Sequence, residues 1–480
     1  MSRRSKAACI PIILLFLLTY LEATAQDKSV HLKMLFDTLS RRGNFNGCVL
    51  VAEQDRILFQ SAYGAANKEN NRLLTNASTF ELASVSKLFT ATAIMQLKEK
   101  GLVSYDDSLK KFFPELPYKS VTIRHLLTNT SGIEDFLAWT ENDIDIKRIN
   151  NNADIIKRLV AKARPTAFEP GSEVLYSNTN YALLASIVEM VSGQSFAGYL
   201  ARNIFLPAGM TTTKVYSRHS DESPKAYAFD YSWDGSRNQF IRTDSLKRYT
   251  YHLAGVYGAY GVISNTGDLY KWDQALSKNL LVRESTLKEA LQPFILNQTT
   301  RFGEVTPGIP YTFVWQLLPG DPGYRDMFAP GGYGGYTSLI VRKVSRKQTV
   351  ILLSNINDAC DVMTIMDPID RILEGEPVSY PETIRQSRGI RLSPEKLSTF
   401  QGKYVSPENP AQTMTITFSG GNLYAKSGDA MEQNVFPESA NTFFLNNTTL
   451  KLVFEPDAAG RVNQLKIVNQ GMRFMLIKVR

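Results

Sequence analysis

Of 480 residues only three are cysteine and four are histidine. The histidines, His31, His125, His219 and His252, are scattered, with no H-E-x-x-H and no paired-histidine spacing. With no C-x-x-C either, the chain lacks the ligand patterns of zinc sites. No G-x-x-x-x-G-K-[ST] occurs, which excludes a P-loop nucleotide site. The net charge is +8, yet no run of five or six basic residues is present, so there is no footprint for nucleic acid. Long apolar runs are also missing. The stretch Ile10–Leu21 is shorter than the ~20 residues that cross a bilayer, and no later segment is more apolar. What remains is ordinary globular composition, 43% hydrophobic and 21% charged, in a chain long enough for two or three packed domains.

Residues 1–25 read as a secretory leader. Arg3, Arg4 and Lys6 make a basic start, Ile10–Leu21 an apolar core, and Ala23-Thr24-Ala25 a small-residue cleavage site before Gln26. Cys9 precedes the apolar core, the wrong place for a lipoprotein cysteine. Cleavage leaves an exported chain of net charge +6 with two cysteines, Cys48 and Cys360. They are read as two buried thiols, with a disulfide as the alternative that export permits.

Along the chain, Gly47–Glu53 and Arg56–Ser61 suggest a hairpin. Helical periodicity covers Ser84–Lys100, Thr122–Thr130, Ala153–Ala163, Thr179–Val191, Ser195–Phe205 and Met363–Leu373. Residues 211–250 are polar and read as a long surface excursion. Two strands are expected at Tyr336–Arg342 and Thr349–Ser354. The composition then shifts. Residues 376–394 carry three prolines and no helical period, as a linker does. From 395 to 480 only strand patterns remain: Thr413–Phe418, Asn422–Lys426, Thr442–Leu445, Lys451–Phe454, Gln464–Val468 and Phe474–Val479. They predict a small all-β barrel or sandwich.

Two motifs carry chemistry. Ser84-Val85-Ser86-Lys87 puts a serine at a helix start, where the helix dipole favours a developing anion, and a lysine one turn on along the same face. A lysine so placed can take the serine proton. S-x-x-K also begins at Ser108, Ser285 and Ser393, but only Ser84 has apolar flanks. The second motif is Tyr176-Ser177-Asn178, the one Y-x-N among 22 tyrosines, directly before the helix at Thr179. A tyrosine near a lysine can act as a base, and an asparagine can hold the lysine with its carbonyl and a substrate with its NH₂. A capping asparagine beside a half-buried tyrosine is the structural alternative.

Together the two motifs resemble the serine β-lactamase and penicillin-binding protein superfamily, in the branch that pairs S-x-x-K with Y-x-N: class C β-lactamases, D-alanyl-D-alanine peptidases and family VIII esterases. The resemblance spans about residues 40–375. It includes Val121-Thr122-Ile123-Arg124-His125-Leu126-Leu127-Thr128-Asn129-Thr130-Ser131-Gly132, Leu206-Pro207-Ala208-Gly209-Met210 and Gly258-Ala259-Tyr260-Gly261-Val262-Ile263-Ser264. S-D-N, the second motif of related enzymes, is absent, and Y-x-N stands in for it. The resemblance implies Ser84 as the acylated nucleophile, Lys87 as its proton partner, Tyr176 as base or shuttle and Asn178 as the group positioning lysine and substrate. The backbone N–H groups of Ser84 and Gly332 would bind the oxyanion.

The third motif departs from the family. K-[ST]-G or H-x-G is expected on a strand lining the site. Here the stretch is Phe328-Ala329-Pro330-Gly331-Gly332-Tyr333-Gly334-Gly335-Tyr336, so Ala329 takes the Lys or His position and Gly331 keeps the glycine beside the substrate. Lys426-Ser427-Gly428 lies in the C-terminal region without the sequel the family has, and is read as chance. Losing the cation disfavours substrates with a carboxylate there.

The expected fold is α+β, a β-lactamase/transpeptidase-like antiparallel sheet flanked by helices over 26–375, a linker over 376–394 and a β-barrel-like domain over 395–480. The expected activity is that of an exported serine hydrolase, periplasmic or extracellular, acting on a small-molecule or peptide ester or amide. The alternatives are a β-lactamase or D-alanyl-D-alanine carboxypeptidase, and a non-catalytic sensor or scaffold, which the retained Ser84, Lys87, Tyr176 and Asn178 disfavour. No cofactor, metal, nucleic-acid partner or membrane anchor after leader removal is expected.

Overall fold

A computed structural model describes residues 27–139, 142–217, 222–234, 237, 239–245, 251–293, 312–318, 326–356, 362, 364–378, 390–407, 412–427, 432–445, 450–457, 460–469 and 472–479. The expected leader, His219, Cys360 and residues 379–389 of the expected linker lie outside them.

The organising element is a six-stranded antiparallel sheet. In spatial order it runs Gln316–Leu317, Asp326–Tyr333, Tyr336–Lys343, Gln348–Ser354, Gly47–Glu53 and Arg56–Tyr63. The first hairpin therefore closes against the last one, Cys48 opposite Leu353 and Leu50 opposite Ile351. Side chains alternate across a strand, so each central strand feeds two cores. Cys48, Leu50, Ala329, Ile340, Ile351 and Leu353 face the larger core, beneath the helices Lys87–Glu99 and Asn178–Ser192. Val49, Val51, Phe328, Leu339, Val341, Val350 and Leu352 face the second. There the sheet is covered by a helix at 27–41, through Leu32, Leu35, Phe36 and Leu39, and by the helix Met366–Glu374, through Ile369, Ile372 and Leu373. Strands buried on both faces read as continuous apolar runs such as Gly47–Ala52, as observed.

The predicted helices occur with shifted ends. Thr122–Thr130 contracts to Ile123–Leu127, capped reciprocally by Thr122 and His125, because Asn129 takes a left-handed conformation. The segment expected at Ser195–Phe205 is an α-helix over Phe196–Leu200 that widens to a π-turn over Ala201–Phe205. Residues 211–250 correct the expectation of a surface excursion: Tyr216, Tyr227, Ala228, Asp230, Tyr231 and Thr243 are buried. Tyr227, Ala228 and Tyr216 belong to the main core. The Asp230 carboxylate accepts the Gly335 N–H at 2.7 Å, and Tyr336 donates to Ala228 O at 2.6 Å. This segment buttresses the turn between the second and third strands of the sheet. Polar composition hid it because its tyrosines bury their rings while their hydroxyls find partners.

Cys48 is a free, fully buried thiol whose burial pushes its pKa up to about 12. Among the described residues no helix is long and apolar enough to cross a membrane.

The C-terminal region is a closed eight-stranded antiparallel barrel in chain order: Gly402–Val405, Thr413–Ser419, Asn422–Ser427, Gln433–Pro437, Thr442–Leu445, Lys451–Pro456, Val462–Asn469 and Met472–Val479. The last strand pairs with the first, Val479 opposite Lys403, which leaves no free edge. Phe400, Phe443 and Phe454 form its aromatic centre, with Phe400 and Phe454 centroids 4.6 Å apart. Two strands escaped the sequence reading, Gly402–Val405 and Gln433–Pro437. Both are short and weakly alternating.

Candidate active site

Ser84 sits on a 3₁₀ turn, Ala83–Ser86, that runs directly into the helix Lys87–Glu99. Its neighbour Ala83 has φ +48°, a left-handed conformation that costs a non-glycine residue about 1 kcal/mol or more. The turn is held there from both sides. Leu82 N–H donates to Val262 O at 2.9 Å, and Ser338 Oγ donates to Leu82 O at 2.7 Å. Ser86 is buried, and its Oγ accepts the Val262 N–H at 3.2 Å. Of the two serines in the motif, Ser84 alone is partly exposed.

Lys87 is buried, 1% exposed. Its Nζ lies 3.1 Å from Ser84 Oγ, 2.8 Å from Asn178 Oδ1 and 2.9 Å from Ala259 O. Two of these partners are carbonyl oxygens, which only accept, so two N–H bonds are committed to them. The remaining position on Nζ faces Ser84: an ammonium donates there, and a neutral amine offers its lone pair to the Ser84 O–H. No ion pair touches Lys87 among the described residues; the Tyr176 and Tyr181 rings flank it at 4.8 and 5.5 Å. Tyr176 OH is 2.6 Å from Ser84 Oγ. Ser84 Oγ is thus in contact with both candidate proton carriers, the order that an acyl-transfer nucleophile requires.

The longer motifs quoted above have structural work around these groups. Asn129 O accepts Leu175 N–H at 2.8 Å, and Asn129 Oδ1 accepts Ser177 N–H at 3.3 Å and Asn180 Nδ2–H at 3.0 Å. The Thr128–Gly132 turn thereby braces the extended stretch bearing Tyr176. Gly258, at φ +99°, lies so close to the helix Asn178–Ser192 that a Cβ would sit 2.2 Å from Tyr181 O. That approach lets Gly258 O accept from Thr90 Oγ1 at 2.8 Å and brings Ala259 O to Lys87.

The third motif lies on the strand Asp326–Tyr333. A Cβ on Gly331 would meet Leu82 O at 2.4 Å and Ser84 N at 3.1 Å, so only glycine lets this strand pass the Ser84 turn. Gly332 is exposed with open space beside it. Ala329 faces the same side as Gly331 but is 2% exposed, packed in the main core. Tyr333 stacks on Tyr260 at 5.7 Å, and Phe136 meets Tyr260 edge-on at 6.3 Å, giving an aromatic wall. Burial, then Tyr333 and Asp135, raise the Tyr260 hydroxyl well above its ordinary pKa, so it stays neutral.

Ser84, Lys87, Tyr176 and Asn178 therefore form one hydrogen-bonded group beside Gly331–Gly332. Sequence reasoning missed three contributors. Ala259 acts through a backbone carbonyl, which no residue type signals. Ser338 braces the turn from across the sheet. Asp135 accepts Asn178 Nδ2–H at 2.8 Å, the NH₂ that the sequence reading had assigned to substrate, and lies 43 positions away. No group of His, Cys, Asp and Glu among the described residues could hold a metal ion.

Known proteins resemble this chain over most of its length. The Beta-lactamase family model matches residues 32–368. Penicillin-binding protein 4* of Bacillus subtilis (strain 168) is 35% identical over 433 residues, covering 89% of this chain and 94% of that protein. A penicillin-binding protein from Bacillus halodurans is 25% identical, with TM-score 0.59, over 69% of this chain and 98% of its own. An octameric penicillin-binding protein homologue from Pyrococcus abyssi, 21% identical, shares the fold with TM-score 0.61 over 93% of this chain and 99% of that one. The chain belongs to the beta-lactamase family and is a serine hydrolase of that superfamily.

Proposed function

We propose that this hydrolase is exported and cleaves esters or amides through an acyl-enzyme on Ser84. The observation that carries this reading is Ser84 Oγ within hydrogen-bond distance of both Lys87 Nζ, 3.1 Å, and Tyr176 OH, 2.6 Å. In the first half-reaction Ser84 Oγ bonds to the acyl carbon while its proton passes to the Lys87–Tyr176 pair. The carbonyl oxygen becomes an oxyanion beside the backbone N–H groups of Ser84 and Gly332. Collapse breaks the bond to the leaving group, which takes the proton through Tyr176. Water then adds to the acyl carbon by the same proton route, releasing a carboxylic acid and restoring the Ser84 hydroxyl. Export is supported by the composition of residues 1–25.

Ala329 sets the substrate preference in this reading. A methyl group donates no hydrogen bond, and Pro330 has no N–H. Acyl donors without a carboxylate at this position are preferred. The likeness to penicillin-binding protein 4* favours a second reading, action on peptidoglycan-type peptides or β-lactams, in which another group must replace the missing cation. Intact-mass measurement after exposure to a fluorophosphonate, a nitrophenyl ester and a cephalosporin separates the readings. An adduct mapped to Ser84 with the first two, and slow or absent acylation by the third, is expected. An adduct on another residue, or none, overturns the nucleophile assignment.

A further inference from the structure

We propose that Asp135 is a positioning residue that fixes the orientation of the Asn178 amide and, through it, the alignment of Lys87 on Ser84; the proposal rests on the acyl-enzyme reading above. The two ends of an amide are nearly isosteric, so their neighbours decide which way it points. Asn178 Oδ1 accepts from Lys87 Nζ at 2.8 Å, and Asn178 Nδ2 donates to Asp135 Oδ2 at 2.8 Å. A carboxylate only accepts. In the flipped orientation Asn178 Oδ1 would face Asp135 Oδ2, two acceptors in contact. Its NH₂ would then face Lys87, opposing an ammonium or capturing the amine lone pair that serves Ser84. Asp135 makes that orientation unfavourable.

The carboxylate is itself held in place. Asp135 Oδ1 accepts Leu137 N–H at 3.0 Å. The residues on either side of Asp135 bond to the residues on either side of Asn178. Ser177 Oγ and Thr179 Oγ1 donate to Glu134 O at 3.2 and 2.7 Å, and Phe136 N–H donates to Thr179 Oγ1 at 3.0 Å. Glu134 pairs outward with Arg164 at 2.9 Å and Lys162 at 3.4 Å, and Lys162 lies over the Trp139 ring at 4.8 Å. The segment is clipped to the start of the Asn178 helix from both flanks, leaving the Asp135–Asn178 bond at its centre.

The arrangement also explains why Lys87 has no direct carboxylate partner among the described residues. A carboxylate bonded to Nζ would hold it as an ammonium and compete for the position that faces Ser84. One amide in between keeps the negative charge close while Nζ presents only its third position to the nucleophile.

The test is a double-mutant cycle on nitrophenyl acetate hydrolysis with wild type, Asp135→Ala, Asn178→Ala and the double variant, with Asp135→Asn alongside. Asp135→Ala should lower kcat about 10- to 150-fold, the scale of one lost charge-assisted hydrogen bond, with KM little changed. The double variant should be no slower than Asn178→Ala, because Asp135 acts only through Asn178. Asp135→Asn keeps a carbonyl acceptor for Nδ2–H and should recover most of the rate. Losses that multiply in the double variant, a wild-type rate in Asp135→Ala, or a loss confined to KM would overturn the proposal. Should Asp135→Ala fail to fold, Asp135→Asn decides alone: a loss as large as that of Asn178→Ala overturns it. Fluorophosphonate labelling of wild-type Ser84 runs in parallel. Labelling with an unaffected Asp135→Ala rejects only Asp135, whereas an unlabelled, inactive wild type rejects the acyl-enzyme reading and this inference with it.

Discussion

Around Ser84 the interior holds groups that are costly to bury. Lys87 is enclosed without an ion-pair partner among the described residues, and Ala83 keeps a left-handed backbone. The C-terminal barrel is built the other way. Among its described residues no charged side chain is buried, and its centre is Phe400, Tyr404, Phe443, Phe454 and aliphatic neighbours. Buried charge and backbone strain cost stability unless fully compensated. Here the two adjoin Ser84, which is where stability has been exchanged for chemistry. In the barrel, packing alone explains nearly every inward side chain. The comparison therefore makes opposite forecasts: substitutions in the hydrogen-bonded group of Ser84, Lys87, Tyr176 and Asn178 should change turnover more than stability, and substitutions in the barrel the reverse.

The sharpest form of that contrast is Ser84→Ala. Ser84 is partly exposed and Lys87 keeps its bonds to Asn178 and Ala259, so loss of the Ser84 hydroxyl should leave the melting temperature nearly unchanged while ester hydrolysis falls to background. Ser86→Ala is the control. It leaves the Val262 N–H without its acceptor, so it should cost about 1 kcal/mol of stability and little activity. Equal activity loss in both would erase the distinction. Tyr176→Phe comes next, with kcat expected to fall about a hundredfold, the scale of a general acid–base group. A near-wild-type rate would mean that Lys87 carries the proton alone.

Ala329 tests whether the site's polarity governs substrate choice. The missing cation predicts a penalty of about 10- to 150-fold on carboxylate-bearing substrates. Ala329→His should recover part of it for a cephalosporin and almost none for a nitrophenyl ester, read as kcat/KM for each. Ala329 packs in the core, so the larger side chain should also cost about 1–3 kcal/mol, visible as a lower melting temperature. Efficient cephalosporin turnover by the unaltered protein would sink the idea.

The parts legible in the sequence are those with local signals. The Gly47–Ala52 run, the amphipathic spacing before Gly193 and the S-x-x-K and Y-x-N motifs each announced themselves. What was hidden lies in long-range pairing. Nothing near Gly47 says that its strand is sandwiched between Arg56–Tyr63 and Gln348–Ser354. Tyr227 and Tyr231 sit in a polar segment, yet their rings are core because hydroxyl partners lie elsewhere in the fold: Glu81 for Tyr227, Glu69 and the Lys68 N–H for Tyr231. Asp135 and Ala259 join the site through one carboxylate oxygen and one backbone carbonyl, and neither leaves a spacing to count.

The smallest expected effect on turnover comes from removing the barrel. Both coverings of the main sheet lie within the first 378 residues: the helix at 27–41 and the helix Met366–Glu374 pack one face, with Val378 against them, and the Lys87 and Asn178 helices pack the other. The barrel closes on its own hydrogen bonds and has its own core. A chain ending at Val378 should therefore fold, label at Ser84 with a fluorophosphonate and hydrolyse nitrophenyl acetate at the full-length rate. In the intact chain Phe454→Ala should cost the barrel about 3–5 kcal/mol with kcat unchanged. Calorimetry should then resolve an early transition belonging to the barrel and a later one, unmoved, belonging to the rest. Insoluble truncated protein, or a single transition that shifts as a whole, would show that the barrel completes the catalytic region. A soluble truncated protein with raised KM would instead place part of the barrel at the substrate.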